Sequence, residues 1–155
     1  MVGLTVTQVG DWEYAGKVLR GLVRTVPEAS AVMLQEARAS KERLVRNIER
    51  QVYKDWPKHS PNYHPKDPRL LIETRQYIDA IQVIALGPLM WGVGIPRRAK
   101  NHEGVSLAAI GTAHEYGAGN LPPRPHWRRE AAVFKGQLSK ALGAYLSAKV
   151  SLSRR

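Results

Sequence analysis

The spacing of apolar residues along this 155-residue chain changes several times, and each change marks an element. Residues 2–9, VGLTVTQV, are β-prone but short. Asp11 suits an N-cap, and Trp12, Ala15, Leu19, Leu22 and Val26 then recur at three- and four-residue steps. That periodicity predicts a helix over 12–25. Pro27 lacks an amide hydrogen and fits the first turn of a second helix, so a break is expected before it. Residues 28–54 read as the longest helix, with Leu34, Ala37, Leu44, Val45, Ile48 and Val52 on one side and Arg43, Arg46, Arg50 and Lys54 opposite. At 1.5 Å rise per residue it would measure about 40 Å. Part of so long a rod is expected to project, or to pack on another subunit.

The stretch 55–69, DWPKHSPNYHPKDPR, places four prolines in fifteen residues and cannot hold regular structure. Residues 70–87 start as a short helical turn and become a strand over about 77–86. Residues 89–95, LMWGVGI, alternate, with Leu89, Trp91, Val93 and Ile95 on one face and Met90, Gly92 and Gly94 on the other. Gly87-Pro88 between the two runs predicts a β-hairpin. After a charged loop at 97–105, residues 106–117 read as a short helix with Ser106 as cap and Gly117 as stop. Pro123 and Pro125 keep PPRPHW extended. A last amphipathic helix is expected over 128–150, with Phe134, Leu138, Ala141, Leu142 and Tyr145 on one side. The class is α+β in a single domain spanning 1–155. Its first part, 1–54, is mainly helical, and 55–155 holds a small antiparallel sheet, a corner and the C-terminal helix.

Composition adds three constraints. With 43% hydrophobic residues the chain has enough apolar surface for one core, yet no run approaches the roughly 18 residues of a membrane span. The opening MVGLTVTQVGDWEY lacks the charged and apolar regions of a signal peptide. Zero cysteines remove disulfides, thiolate chemistry and Cys-based zinc sites. The net charge of +11 is uneven: residues 97–155 hold eleven Lys and Arg against three acids, about +8. Such asymmetry points to a negatively charged surface as partner, whether nucleic acid, acidic protein or membrane.

Candidate chemistry is thin. His114-Glu115 is half of a zinc-protease helix motif, but the second His one turn on is replaced by Ala118. His59, His64, His102 and His126 show no metal-ligand spacing. Gly92-Val93-Gly94 lies inside a strand and lacks the third glycine of a dinucleotide fingerprint. There is no phosphate-loop lysine and no Gly-x-Ser-x-Gly elbow. No matched nucleophile and base stand out, so no enzyme, cofactor or metal is expected. The basic helix side at 43, 46, 50 and 54 could track phosphates or simply face solvent, and the eleven aromatics do not interleave with it as a stacking platform would.

Three segments in order carry a resemblance. They are WPKHSPNYHPKDPRLLIETRQYIDAIQV, the hairpin LMWGVGI, and SLAAIGTAHEYGAGNLPPRPHWRREAA. Together they resemble the tailed-phage virion-morphogenesis family of tail-completion and minor tail components, over roughly residues 55–132. The most specific piece is Ala113-His114-Glu115-Tyr116-Gly117 followed by Pro123-Arg124-Pro125. The chain has Arg75 where the family often has glycine, and His126-Trp127 where Phe-Leu is usual. The resemblance implies a non-enzymatic virion protein assembled in the host cytoplasm, which joins or completes the tail at the head–tail interface. A tail terminator or head–tail stopper is the nearest alternative, and a basic nucleic-acid-binding module is the alternative of another class.

On this reading His114, Glu115, Tyr116, Gly117, Pro123, Arg124, Pro125 and Trp127 form a rigid corner that aims the last helix, with Tyr116 and Trp127 anchoring it to the sheet. His114-Glu115 is then a structural polar pair. Partners implied are further copies in a ring, with six copies from tail symmetry or twelve at a portal-like neck. Neighbouring neck and tail proteins and nonspecific contact with DNA in the lumen complete the set, with no membrane. Arg97, Arg98, Lys100, Arg128, Arg129, Arg154 and Arg155, with Arg124, are the positions expected to face a negative partner.

Overall fold

A computed structural model describes residues 12–58, 69, 71 and 75–153. Side chains of 12–25, 150, 152 and 153 lie outside that description, as do the β-prone run 2–9, the Asp11 cap, His59, His64, Arg154 and Arg155. Helix α1 runs Trp12–Glu49, and a short α2 spans Gln76–Asp79. Strands β1 (Gln82–Gly87) and β2 (Met90–Gly94) precede α3 (Leu107–Tyr116) and α4 (Trp127–Ser153). The architecture is α+β, with a two-stranded antiparallel sheet between long N- and C-terminal helices.

The expected break at Pro27 does not occur: α1 continues through it. A proline inside a helix costs about 3 kcal/mol, and the helix just beyond it is tied to α4 and to the sheet. Glu28 accepts a hydrogen bond from the Tyr145 hydroxyl at 3.0 Å and pairs with Lys149 of α4. Ser30 accepts from the Trp91 indole of β2 at 3.1 Å. The helix also ends earlier than residue 54. Gln51 takes a left-handed φ of 50°, and Val52 is exposed instead of continuing the apolar side. The apolar side is otherwise as the periodicity predicts, with Ala37, Leu44 and Ile48 fully buried.

Residues 77–79 are helical, so β1 starts at Gln82, five residues later than expected. Tyr77, Ile78 and Ile81 point into the core with Leu44, Ile48, Trp56 and Leu107, an inward set that a helical turn provides and an alternating strand does not. The turn is entered through Arg75, at φ 58° and ψ −15°. Val83 pairs with Val93 and Ala85 with Trp91, and a bulge between Ala85 and Gly87 leads into the hairpin end. Leu86, Leu89 and Met90 at that end are exposed. Helix α4 lays Phe134, Leu138, Ala141, Leu142 and Tyr145 as a half-buried stripe, and it packs along α1.

Candidate functional site: the buried corner

Helix α3 starts as the sequence predicts, with the Ser106 hydroxyl accepting the Ala109 amide hydrogen at 3.3 Å. It ends at Gly117, whose φ of 82° favours glycine. A Cβ there would lie 3.0 Å from the Leu121 carbonyl oxygen and 3.3 Å from Pro123 Cδ. The chain then turns back through an Ala118–Leu121 bridge, and the Arg124 amide donates to the His114 carbonyl. The prolines therefore run alongside the helix that has just ended.

Glu115 closes this turn. Its side chain is buried, and one carboxylate oxygen accepts from the His126 and Trp127 amides at 2.8 and 2.9 Å. The other accepts from the Arg128 amide at 3.1 Å and from the Arg128 guanidinium at 2.8 Å. Those amides are the unpaired donors that every helix start exposes, here the start of α4. A carboxylate there also meets the positive end of the helix dipole. Burial alone would raise the Glu115 carboxyl, but the hydrogen bonds from His126, Arg128 and Trp127 outweigh it and hold the group below its ordinary value. With four donors on two oxygens, the carboxylate has no lone pair left to take a substrate proton.

His126 sits fully buried beside it. Its Nδ1 lies 2.9 Å from the Arg124 carbonyl, which can only accept, so Nδ1 carries the proton. Nε2 therefore accepts from the Tyr77 hydroxyl at 2.6 Å, and that hydroxyl accepts from the Trp127 indole at 2.9 Å. Trp56, Tyr77 and Trp127 surround the imidazole with ring centroids 5.5–5.8 Å away. Burial pushes the His126 pKa down, keeping it neutral, against opposing contributions from the Arg124 carbonyl and the Glu115 charge. Tyr77 is pushed up by the same burial. Both ring nitrogens are engaged, which suits a packed strut better than a proton shuttle.

The corner is also fastened to α1 and the residues after it. Arg124 is buried and donates to the carbonyls of Pro57 and Lys58, both at 3.0 Å. The Trp56 indole donates to the Pro125 carbonyl at 3.2 Å. Glu130, in the first turn of α4, accepts from Ser40 at 2.8 Å and from Arg43 at 2.7 Å. Arg129 forms an ion pair with Asp55 and stacks its guanidinium over Tyr53.

Several sequence expectations are thereby revised. Arg124 cannot face a partner, because its guanidinium is spent on two internal carbonyls. Arg128 and Arg129 are partly exposed but already pair with Glu115 and Asp55. Tyr116 does not anchor the corner to the sheet: it is 65% exposed and lies under Arg128. Trp127 does pack inward, against the core and beside Val93 and Ile95. The contacts of Glu115 run forward to α4 instead of forming a pair with His114. Arg97, Arg98 and Lys100 are exposed on the loop after β2. Of the basic set expected on one helix side, Arg43 is consumed by Glu130 and Arg46 is exposed on α1, while Arg50 and Lys54 are exposed beyond its end.

Among the described residues, no group of three His, Asp or Glu side chains could hold a metal ion. No helix among them is long and apolar enough to cross a membrane. No family model, no curated protein and no solved structure matches the chain.

Proposed function

We propose that this protein is a structural component of a tailed-phage virion, a tail-completion or neck protein that joins or completes the tail at the head–tail interface. One observation carries the reading. Arg75 adopts a left-handed backbone, φ 58°, at the position where the family pattern places glycine. The chain thus keeps the turn that glycine would make, although its residue there pays a steric cost. The family-like residues of the corner support it further. Glu115, Gly117, Arg124 and Trp127 all hold the start of α4 in place, as an architectural motif requires and a catalytic one does not.

The protein works by contact. Copies arranged head to tail close into a ring, six by tail symmetry or twelve at a portal-like neck, and present basic surface to acidic neighbouring rings or to the DNA that passes through. Quantitative mass spectrometry of purified, infectious particles tests this. The proposal expects the protein at a fixed ratio to the tail tube, near one ring per particle. Its presence in the lysate but absence from particles would overturn it.

A further inference from the structure

The sheet has only two strands, so β1 and β2 each have one neighbour and one free edge. Among the described residues, no backbone hydrogen bond joins either strand to another part of the chain. Free edges invite a further strand, and proteins ordinarily guard them with charge, proline or a covering element. Here those guards are missing. Residues 80–96 are the longest stretch of the chain without a charged side chain, and their prolines, at 88 and 96, stand outside the strands. The bulge between Ala85 and Gly87 lies at the tip and leaves the pairs from Gln82–Gly94 to Ala85–Trp91 regular. Beside the end of β2 there is space: a groove of about 270 Å³ separates Val93, Gly94 and Ile95 from Ala108, Gly111 and Thr112 of α3.

The faces of the sheet point the same way. Val83 and Trp91 turn toward α1, where the Trp91 indole bonds to Ser30. The opposite face carries Ile84, Leu86 and Met90 over the two glycines of β2. A solvated face of an antiparallel sheet is ordinarily polar. On this one Leu86 and Met90 are 61% and 57% exposed.

We infer that β1 of one copy pairs along β2 of the next, so that the hairpins of successive copies join edge to edge in one antiparallel sheet. Charge selects a second copy as occupant. A chain of net charge +11 repels its own kind over most of its surface, and the hairpin is the uncharged part. Charge also selects which edges meet. Antiparallel pairing lays the start of β1 against the end of β2. Asp79, exposed just before β1 and no closer than 4.0 Å to Arg75 in its own copy, then comes toward Arg97 and Arg98, exposed just after β2 of the neighbour. Pairing β1 with β1, or β2 with β2, would set those charges against the uncharged tip and leave the other edge bare. The contact is therefore heterologous and propagates into a closed ring or an open filament. The inference rests on the proposed ring only for the fact of self-association and names the surface that makes it.

Sedimentation velocity on the full chain tests it by adding the missing guards. Leu86→Lys puts a charge on β1 and Met90→Lys puts one on β2, both at exposed positions that a single copy tolerates. The parent should form oligomers. Each variant alone should melt like the parent yet associate about tenfold or more weakly, because its lysine would be buried in the contact without a partner. An equimolar mixture should form one-to-one dimers and nothing larger, since the unaltered β2 of the first variant still accepts the unaltered β1 of the second. Either variant associating alone as strongly as the parent overturns the inference, and so does a mixture that stays monomeric. A parent that is monomeric at every concentration overturns it too, whereas the virion reading stands or falls separately on the particle measurement.

Discussion

Replacing Glu115 by alanine would strip the acceptor from three backbone donors at once. The His126 amide is buried, and leaving it unsatisfied costs about 2 kcal/mol. The Trp127 and Arg128 amides are part-buried, so water can partly replace the lost oxygen, and each costs about 0.5–1 kcal/mol. The Arg128 guanidinium is more than half exposed, and its ion pair adds at most about 1 kcal/mol. The expected loss is about 3–5 kcal/mol, a large share of the roughly 5–15 kcal/mol that holds a domain folded. For a chain of this length that corresponds to a fall in Tm on the order of 10 °C. Glu115→Gln keeps one acceptor oxygen and should lose about half as much. Arg128→Ala should lose about 1 kcal/mol or less. Thermal and urea unfolding followed by circular dichroism at neutral pH would rank the three. If Glu115→Ala melts within about 2 °C of the parent, the carboxylate does not hold the corner and the reasoning fails.

Gly117→Val should cost more than about 1 kcal/mol by the same assay, because its φ of 82° disfavours a β-branched residue and the new Cβ would press on Leu121 and Pro123. Gly111→Ala should also destabilise, since its Cβ would come within 2.7 Å of the Tyr77 hydroxyl and push it away from His126, visible as a change in near-ultraviolet aromatic signal. His126 is depressed below its ordinary 6.5 by burial, so the unfolded chain takes a proton that the folded one still refuses. Unfolding free energy should therefore be full above about pH 6.5 and fall as pH drops toward the lower folded value. That slope should flatten in His126→Gln, and equal slopes in parent and variant would contradict it.

Legibility in the sequence followed how local each cause is. The Ser106 cap, the Gly117 stop and the Gly87-Pro88 hairpin depend on neighbours in sequence, and they stand where the pattern puts them. The apolar stripe of α4 was legible for the same reason. Pro27 misled because its effect is local, while the residues that tie down the helix beyond it, Tyr145, Lys149 and Trp91, lie far along the chain. Residues 77–81 misled because Tyr77, Ile78 and Ile81 suit a helical turn as well as a strand, and only Arg75's left-handed entry decides between them. Within the corner, the residues were legible and their roles were not. Arg124 reads as surface charge until its guanidinium meets the Pro57 and Lys58 carbonyls, and Glu115 reads as a partner of His114 until α4 arrives above it. An acid closing one helix, with an extended proline segment leading into the next, was the available signal for the second.

The central claim concerns what particles lack when this protein is missing. The proposed function puts its gene in a phage or prophage, and electron microscopy of lysates from a strain carrying it, with the gene deleted and with the gene restored in trans, tests that claim most directly. The account predicts filled heads and tails that remain separate, or tails left unfinished at the joining end, with infectious joined particles returning on complementation. Normal yields of joined, infectious particles from the deletion would contradict it.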